Sequence, residues 1–253
     1  MSEPDDEFFV GYLPTPPRLT RFSLTVAVAV VCFGASVAVA AAFLQSAPGD
    51  IEQGNVELTG RLVSTPYGML RYLDEDTDQV RHVLLVRGGK FGAPADATAR
   101  LAGQTVTVSG LLLTRDGQQL MELHRGITAA ELPDAVEARL DAVADAPLGE
   151  VTVEGEIVDS KCFLGRMRPG GGRTHRACAQ LCIAGNIPPV LVGRAPGGDP
   201  TYAVLASEGG GSVSRGVLPF VAEPVRVTGS LVRRADLFVL RIDPASGIAR
   251  RGR

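Results

Sequence analysis

One strand pattern occurs twice in this chain, and that repetition constrains the fold more than any other feature. VELTGRLV (Val56 to Val63) alternates as a half-buried strand does, with Val56, Leu58, Gly60 and Leu62 on one face. VTVEGEIV (Val151 to Val158) repeats it at an offset of 95, matching Gly60 to Gly155 and Leu62 to Ile157. Further on, TVTVSGLLLTRDGQQLMEL (Thr105 to Leu123) matches PVRVTGSLVRRADLFVLRI (Pro224 to Ile242) at an offset of 119, with Gly110 on Gly229 and Leu123 on Ile242. The middle hairpins, Leu70 to Val86 and Val190 to Ala206, already align at the larger offset. The second copy therefore carries an insertion of 24 residues (119 − 95), placed within 162–189.

Each copy reads as three strands, a short helical or loop connection, and two more strands. The connections are GAPADATARLAG (Gly92 to Gly103) and GGGSVSRGVLPFVAE (Gly209 to Glu223). This order predicts a mainly β protein with two tandem OB-like small β-barrel domains, residues 54–130 and 148–249. A pair of small β-sandwiches shares the alternation and stays open as the rival architecture. Glycine at 60 and 155 suits the sharp strand bends of a closing barrel. Between the copies, PDAVEARLDAVADA (Pro133 to Ala146) has Val136, Leu140 and Val143 at helical spacing, which predicts a linker helix within 131–147.

Ahead of the β pattern, residues 22–44 (FSLTVAVAVVCFGASVAVAAAFL) contain no charge and no proline. That stretch matches the roughly 20 residues that a helix needs to cross a bilayer. Arg18 and Arg21 precede it, and Asp50 and Glu52 follow it. The asymmetry predicts a single span with leader 1–21 in the cytoplasm and the β domains outside. A cleaved signal peptide is the alternative, but the apolar run exceeds the usual core of roughly 7–15 residues and MSEPDDEFF is acidic. Cys32, in mid-span, reads as a small packing residue.

Composition narrows the function. A net charge of −3, 5% aromatic residues and no Trp leave neither the basic footprint nor the stacking surface that a nucleic-acid partner requires. No phosphate loop, nucleophile elbow or HExxH helix is present.

The chemistry-bearing residues concentrate in the insertion, DSKCFLGRMRPGGGRTHRACAQLCIAGNIPP (159–189). Thr174 can cap a helix from His175 to about Ile183 that stops at Gly185, which sets His175, Cys178 and Cys182 on one face. Cys162 can fold back toward them. Cys162, His175, Cys178 and Cys182 are thus candidate metal ligands for Zn, Cu or an iron-sulfur cluster, with Arg166, Arg168, Arg173 and Arg176 to compensate the thiolates. A disulfide from Cys162 to Cys178 or Cys182 is a second reading, worth roughly 2–4 kcal/mol and leaving one thiol spare. A third is thiol-disulfide or metallochaperone activity at Cys178 and Cys182, although no C-x-x-C motif is present. Asp159 reads as a turn or cap residue, and His82 and His124 as surface or packing histidines.

The strings FFVGYLPTPP and DSKCFLGRMRPGGGRTHRACAQLCIAGNIPPVL resemble those of a bacterial membrane-anchored protein family with a DSKCxxGxMRPGxGxxHRxCAxxCIxGxIPP segment. The resemblance covers most of the chain. It implies an extracytoplasmic accessory protein at the bacterial inner (cytoplasmic) membrane, serving a respiratory or other redox system, with a membrane or periplasmic redox protein as partner. It assigns no activity to the cysteines or to His175.

Overall fold

A computed structural model of the chain describes residues 15–44, 51–194 and 200–251. Residues 1–14, 45–50, 195–199 and 252–253, which include most of the expected cytoplasmic leader, the linker and the middle-hairpin turn of the second copy, lie outside the described residues. Two compact units result, Met1–Pro48 and Gly49–Arg253.

The first unit contains helix α1 (Pro17–Leu44), five residues longer at its start than the apolar run alone predicts. Proline at its first position supplies a preset φ where no amide donor is needed. Pro17–Ala42 is long and apolar enough to cross a membrane. The hydroxyls of Thr20, Thr25 and Ser36 donate to the carbonyls of Pro16, Arg21 and Cys32, at 3.2, 2.9 and 2.8 Å. Those polar groups are therefore satisfied inside the helix, as a lipid environment demands.

In the second unit, β1 (Ile51–Val63), β2 (Met69–Asp74) and β3 (Gln79–Arg87) lead through helix α2 (Ala95–Arg100) to β4 (Thr105–Arg115), β5 (Gln118–Leu123) and the short β6 (Thr128–Ala129). The sheet order is β1-β2-β3-β5-β4, and β4 pairs back onto β1, which closes a five-stranded barrel. Helix α3 (Asp134–Asp141) follows. The second half has β7 (Asp145–Asp159), helix α4 (Arg176–Ala184), β8 (Pro189–Arg194), β9 (Pro200–Ser207), helix α5 (Ser214–Val217), β10 (Pro224–Arg234), β11 (Leu237–Ile242) and β12 (Ile248–Arg250). Its order, β7-β8-β9-β11-β10 with β10 paired onto β7, repeats the first closure. In both barrels the third and fifth strands pair in parallel. This is the OB topology, and the sandwich alternative falls.

Residues matched between the copies occupy the same ladder positions. Gly60 faces Val106 and Gly155 faces Val225. A β-carbon on either glycine would lie 2.2 Å from the carbonyl oxygen of the neighbouring strand, Arg71 in one barrel and Val192 in the other. Close strand approach at the bend is what requires glycine there. The connection from β7 to β8 has 29 residues (160–188), and that from β1 to β2 has five (64–68), a difference of 24.

α3 is shorter than the linker helix expected over 131–147. From Asp145 onward the chain is strand, because Asp145 pairs with Arg234 on β10 both in the ladder and through a 2.7 Å ion pair. The second barrel accordingly starts at 145, three residues before the expected boundary. α3 packs on β1 and β2 of the first barrel, with the Leu140 carbonyl accepting from Arg71 at 2.8 Å and Asp141 paired with Arg61 at 3.0 Å.

One buried cluster crosses from barrel to barrel. Met69, Leu84, Leu113 and Leu120 of the first pack with Val190, Val204 and Leu237 of the second, and Cys162, Leu164, Cys182 and Ile187 of the insertion belong to the same cluster. The insertion is built into the joint between the barrels.

Candidate metal centre

Strand β7 ends on Asp159, which is fully buried. Its Oδ1 accepts the Cys162 amide at 2.8 Å, bending the chain into a single wide helical turn, Cys162–Arg166. Gly165, at φ 123°, ends that turn in a region open to glycine and costly for other residues. The chain returns through a 3₁₀ turn, Arg173–His175, into α4. That turn removes Thr174 from the capping position expected for it: the cap is His175, and no side chain bonds to the helix start. The end of the helix at Gly185 is as expected.

The first barrel meets that helix end. Gly92 donates its amide to the Gly185 carbonyl at 2.8 Å, and a β-carbon on Gly185 would lie 1.8 Å from the Lys90 carbonyl oxygen. The loop after β3 is thereby pressed against α4. It delivers the Lys90 ammonium to 2.9 Å from Cys178 Sγ and 3.7 Å from Cys182 Sγ. Lys161, itself buried, secures the same loop by donating to the carbonyls of Arg87 and Gly89 at 2.9 Å each and pairing with Glu122 at 3.0 Å. A buried ammonium is tolerated when hydrogen bonds and an ion pair surround it in this way.

The sulfurs of Cys162, Cys178 and Cys182 lie within 4.8 Å of one another. All are free thiols, so none forms the disulfide considered above. Cys162 and Cys182 are buried and Cys178 is half-buried. His175 belongs to a second group, with Asp159 and Cys162; its Nε2 lies 3.0 Å from Asp159 Oδ2. The two groups share only Cys162, so His175 does not join the three thiols in one compact quartet.

Electrostatics separates the thiols. The hydrogen bond between Cys162 and Cys182 holds the Cys182 pKa below its ordinary value against the effect of burial, and Lys90 and Cys178 add to the lowering. The same bond, with burial and the Asp159 charge, pushes Cys162 up. Its bond to Cys178 raises Lys90, which keeps the ammonium charged. The arginines have other duties: Arg166 pairs with Glu122 at 2.9 Å, Arg176 pairs with Glu223 at 2.5 Å, and Arg168 and Arg173 are exposed.

Asp159, Lys90 and Met167, whose Sδ is 3.8 Å from Cys178 Sγ, complete the surroundings of the thiols. Asp159 does act as the turn residue expected of it, and also holds His175. Lys90 had one faint signal in sequence, its place in the glycine-rich turn RGGKFG. His82 is buried between the barrels: its Nδ1 lies 3.2 Å from Asp236 Oδ1, and its Nε2 accepts from Arg71 at 3.2 Å. His124 is exposed. No protein-family model, characterised protein or solved structure matches the chain.

Proposed function

We propose that the chain is a membrane-anchored extracytoplasmic accessory protein that binds a metal ion through Cys162, Cys178 and Cys182, and that a membrane or periplasmic redox protein is its partner. The observation that carries the metal reading is the approach of three free sulfurs within 4.8 Å of one another. Metal–thiolate bonds of about 2.3 Å around a tetrahedral ion set sulfurs about 3.8 Å apart, so closing on an ion takes about 1 Å of movement at most. His175 and Asp159 stand beside the thiols as further donors. An iron-sulfur cluster fits less well than a single Zn or Cu ion, because such clusters usually take four cysteine ligands. The extracytoplasmic side is supported by Arg18 and Arg21 before the apolar helix and Asp50 and Glu52 after it.

The half-buried Cys178 beside the Lys90 ammonium, with Cys182 held low, supports thiol-disulfide exchange as a second reading. Metal analysis and thiol titration of the full chain, purified in detergent from an oxidising compartment, separate the two. Stoichiometric metal with protected thiols is expected, and Cys178→Ser with Cys182→Ser should release it. Metal retained by that double variant sinks the first reading; metal-free protein with reactive thiols at 178 and 182 favours the second.

A further inference from the structure

We infer that the ion is Cu(I) and that the thioether of Met167 is one of its ligands; this deepens, and rests on, the metal-binding reading above. Met167 Sδ lies 3.8 Å from Cys178 Sγ, on the same side of the insertion as the thiols. Core packing does not account for its position. The nearby Leu164 is fully buried, whereas Met167 is 47% exposed. Its sulfur nevertheless faces a cysteine.

The donor set discriminates between ions. Zn(II) is held by thiolate, imidazole, carboxylate or water, almost always four in number. A thioether is a soft, neutral donor, and thiolate with thioether selects Cu(I). The one imidazole in the insertion lies against the Asp159 carboxylate at 3.0 Å, in a group that excludes Cys178 and Cys182. Three thiols lie within 4.8 Å of one another and Met167 adjoins the outermost, Cys178, whereas His175 adjoins Cys162 alone; the sulfurs of Cys162, Cys178, Cys182 and Met167 are the assigned donor set.

Charge does not choose between the ions, so the choice rests on the thioether. Three thiolates leave a net −2 around a monovalent ion and −1 around a divalent one, and the Lys90 ammonium, 2.9 Å from Cys178 and 3.7 Å from Cys182, offsets one unit in either case. Cys178 and Met167 are also the more accessible donors, so the ion enters and leaves at that edge by exchange of one sulfur ligand for another, with no electron transferred.

The test is competitive titration of the reduced full-length protein in detergent without oxygen, using Cu(I) against a chromophoric Cu(I) chelator and, separately, Zn(II) against a Zn(II) indicator. One Cu(I) per chain is expected, bound far more tightly than Zn(II). Losing even an outer partner of a metal site costs roughly 10–100-fold in affinity, so Met167→Leu should weaken Cu(I) by at least about tenfold and leave Zn(II) unchanged. X-ray absorption of the copper form should show sulfur neighbours alone. Equal Cu(I) affinity in parent and Met167→Leu, or a nitrogen or oxygen neighbour at the copper, overturns the assignment while leaving metal binding intact. A parent protein that binds neither ion defeats the metal-binding reading itself, a distinguishable outcome. Met167 is exposed, and an unchanged thermal midpoint for the metal-free variant confirms that folding is unaffected.

Discussion

Lys161 and His82 are buried basic side chains that meet burial in opposite ways. Lys161 donates to two carbonyls and forms an ion pair with the Glu122 carboxylate. His82 instead stays neutral: burial pushes its pKa below the usual value, and the opposing pull of Asp236 does not overcome this. The sign of the consequence is definite. An unfolded histidine takes up a proton near pH 6.5, above the folded value, so the unfolded state binds more protons as pH falls. The stability that neutral His82 contributes is complete above pH 6.5 and is lost below it. In a fragment starting at Gly49, the stability difference between the parent and His82→Gln should therefore shrink from pH 8 to pH 5, measured by urea denaturation. A difference that grows over that range would contradict the assignment.

At the scale of elements, the insertion shows which parts of a structure local sequence can specify. Helix α4 was readable to within one residue, since Arg176–Ala184 lies between a glycine-rich loop and a glycine stop. Its capping was misread because a 3₁₀ turn, a tertiary accommodation, precedes it. α3 was overestimated for a similar reason: Val143 continues the helical spacing, but the Asp145–Arg234 pairing draws the chain into a strand. Gly185 has a role that its place at a helix end does not disclose. Its φ of −80° suits any residue, so what requires glycine is the Lys90 carbonyl against its α-carbon. Gly185→Ala should cost about 1–3 kcal/mol, as other overpacked sites do. It should also displace the 88–92 loop and with it Lys90. Denaturation midpoints check the first effect, and faster hydrogen exchange at the amides of residues 88–92 checks the second.

For the molecule as a whole, the shared core makes the two barrels one folding unit. Leu164 has no exposed surface and belongs to the cluster that contains Met69 and Leu120 of one barrel and Val190 of the other. Leu164→Ala should cost about 2–5 kcal/mol, the range for a buried leucine replaced by alanine. The loss should appear as one earlier transition in the Gly49 fragment, with amides of both barrels exchanging together; two separated transitions would show that the barrels fold independently.

The sequence by itself determined what is encoded over short distances. Alternation of period two marked the strands, glycines at matching ladder positions aligned the two barrels, the change of offset placed 24 extra residues, and an uncharged run marked the long apolar helix. Only the tertiary structure decided which side chains surround the thiols. Lys90 reaches Cys178 from 88 residues away, Asp159 claims His175, and Glu122 takes Arg166 from the site. The physical reason is that these meetings depend on how two barrels dock through a shared core and on backbone contacts at Gly92 and Gly185, neither of which leaves a local periodicity for sequence reading to detect.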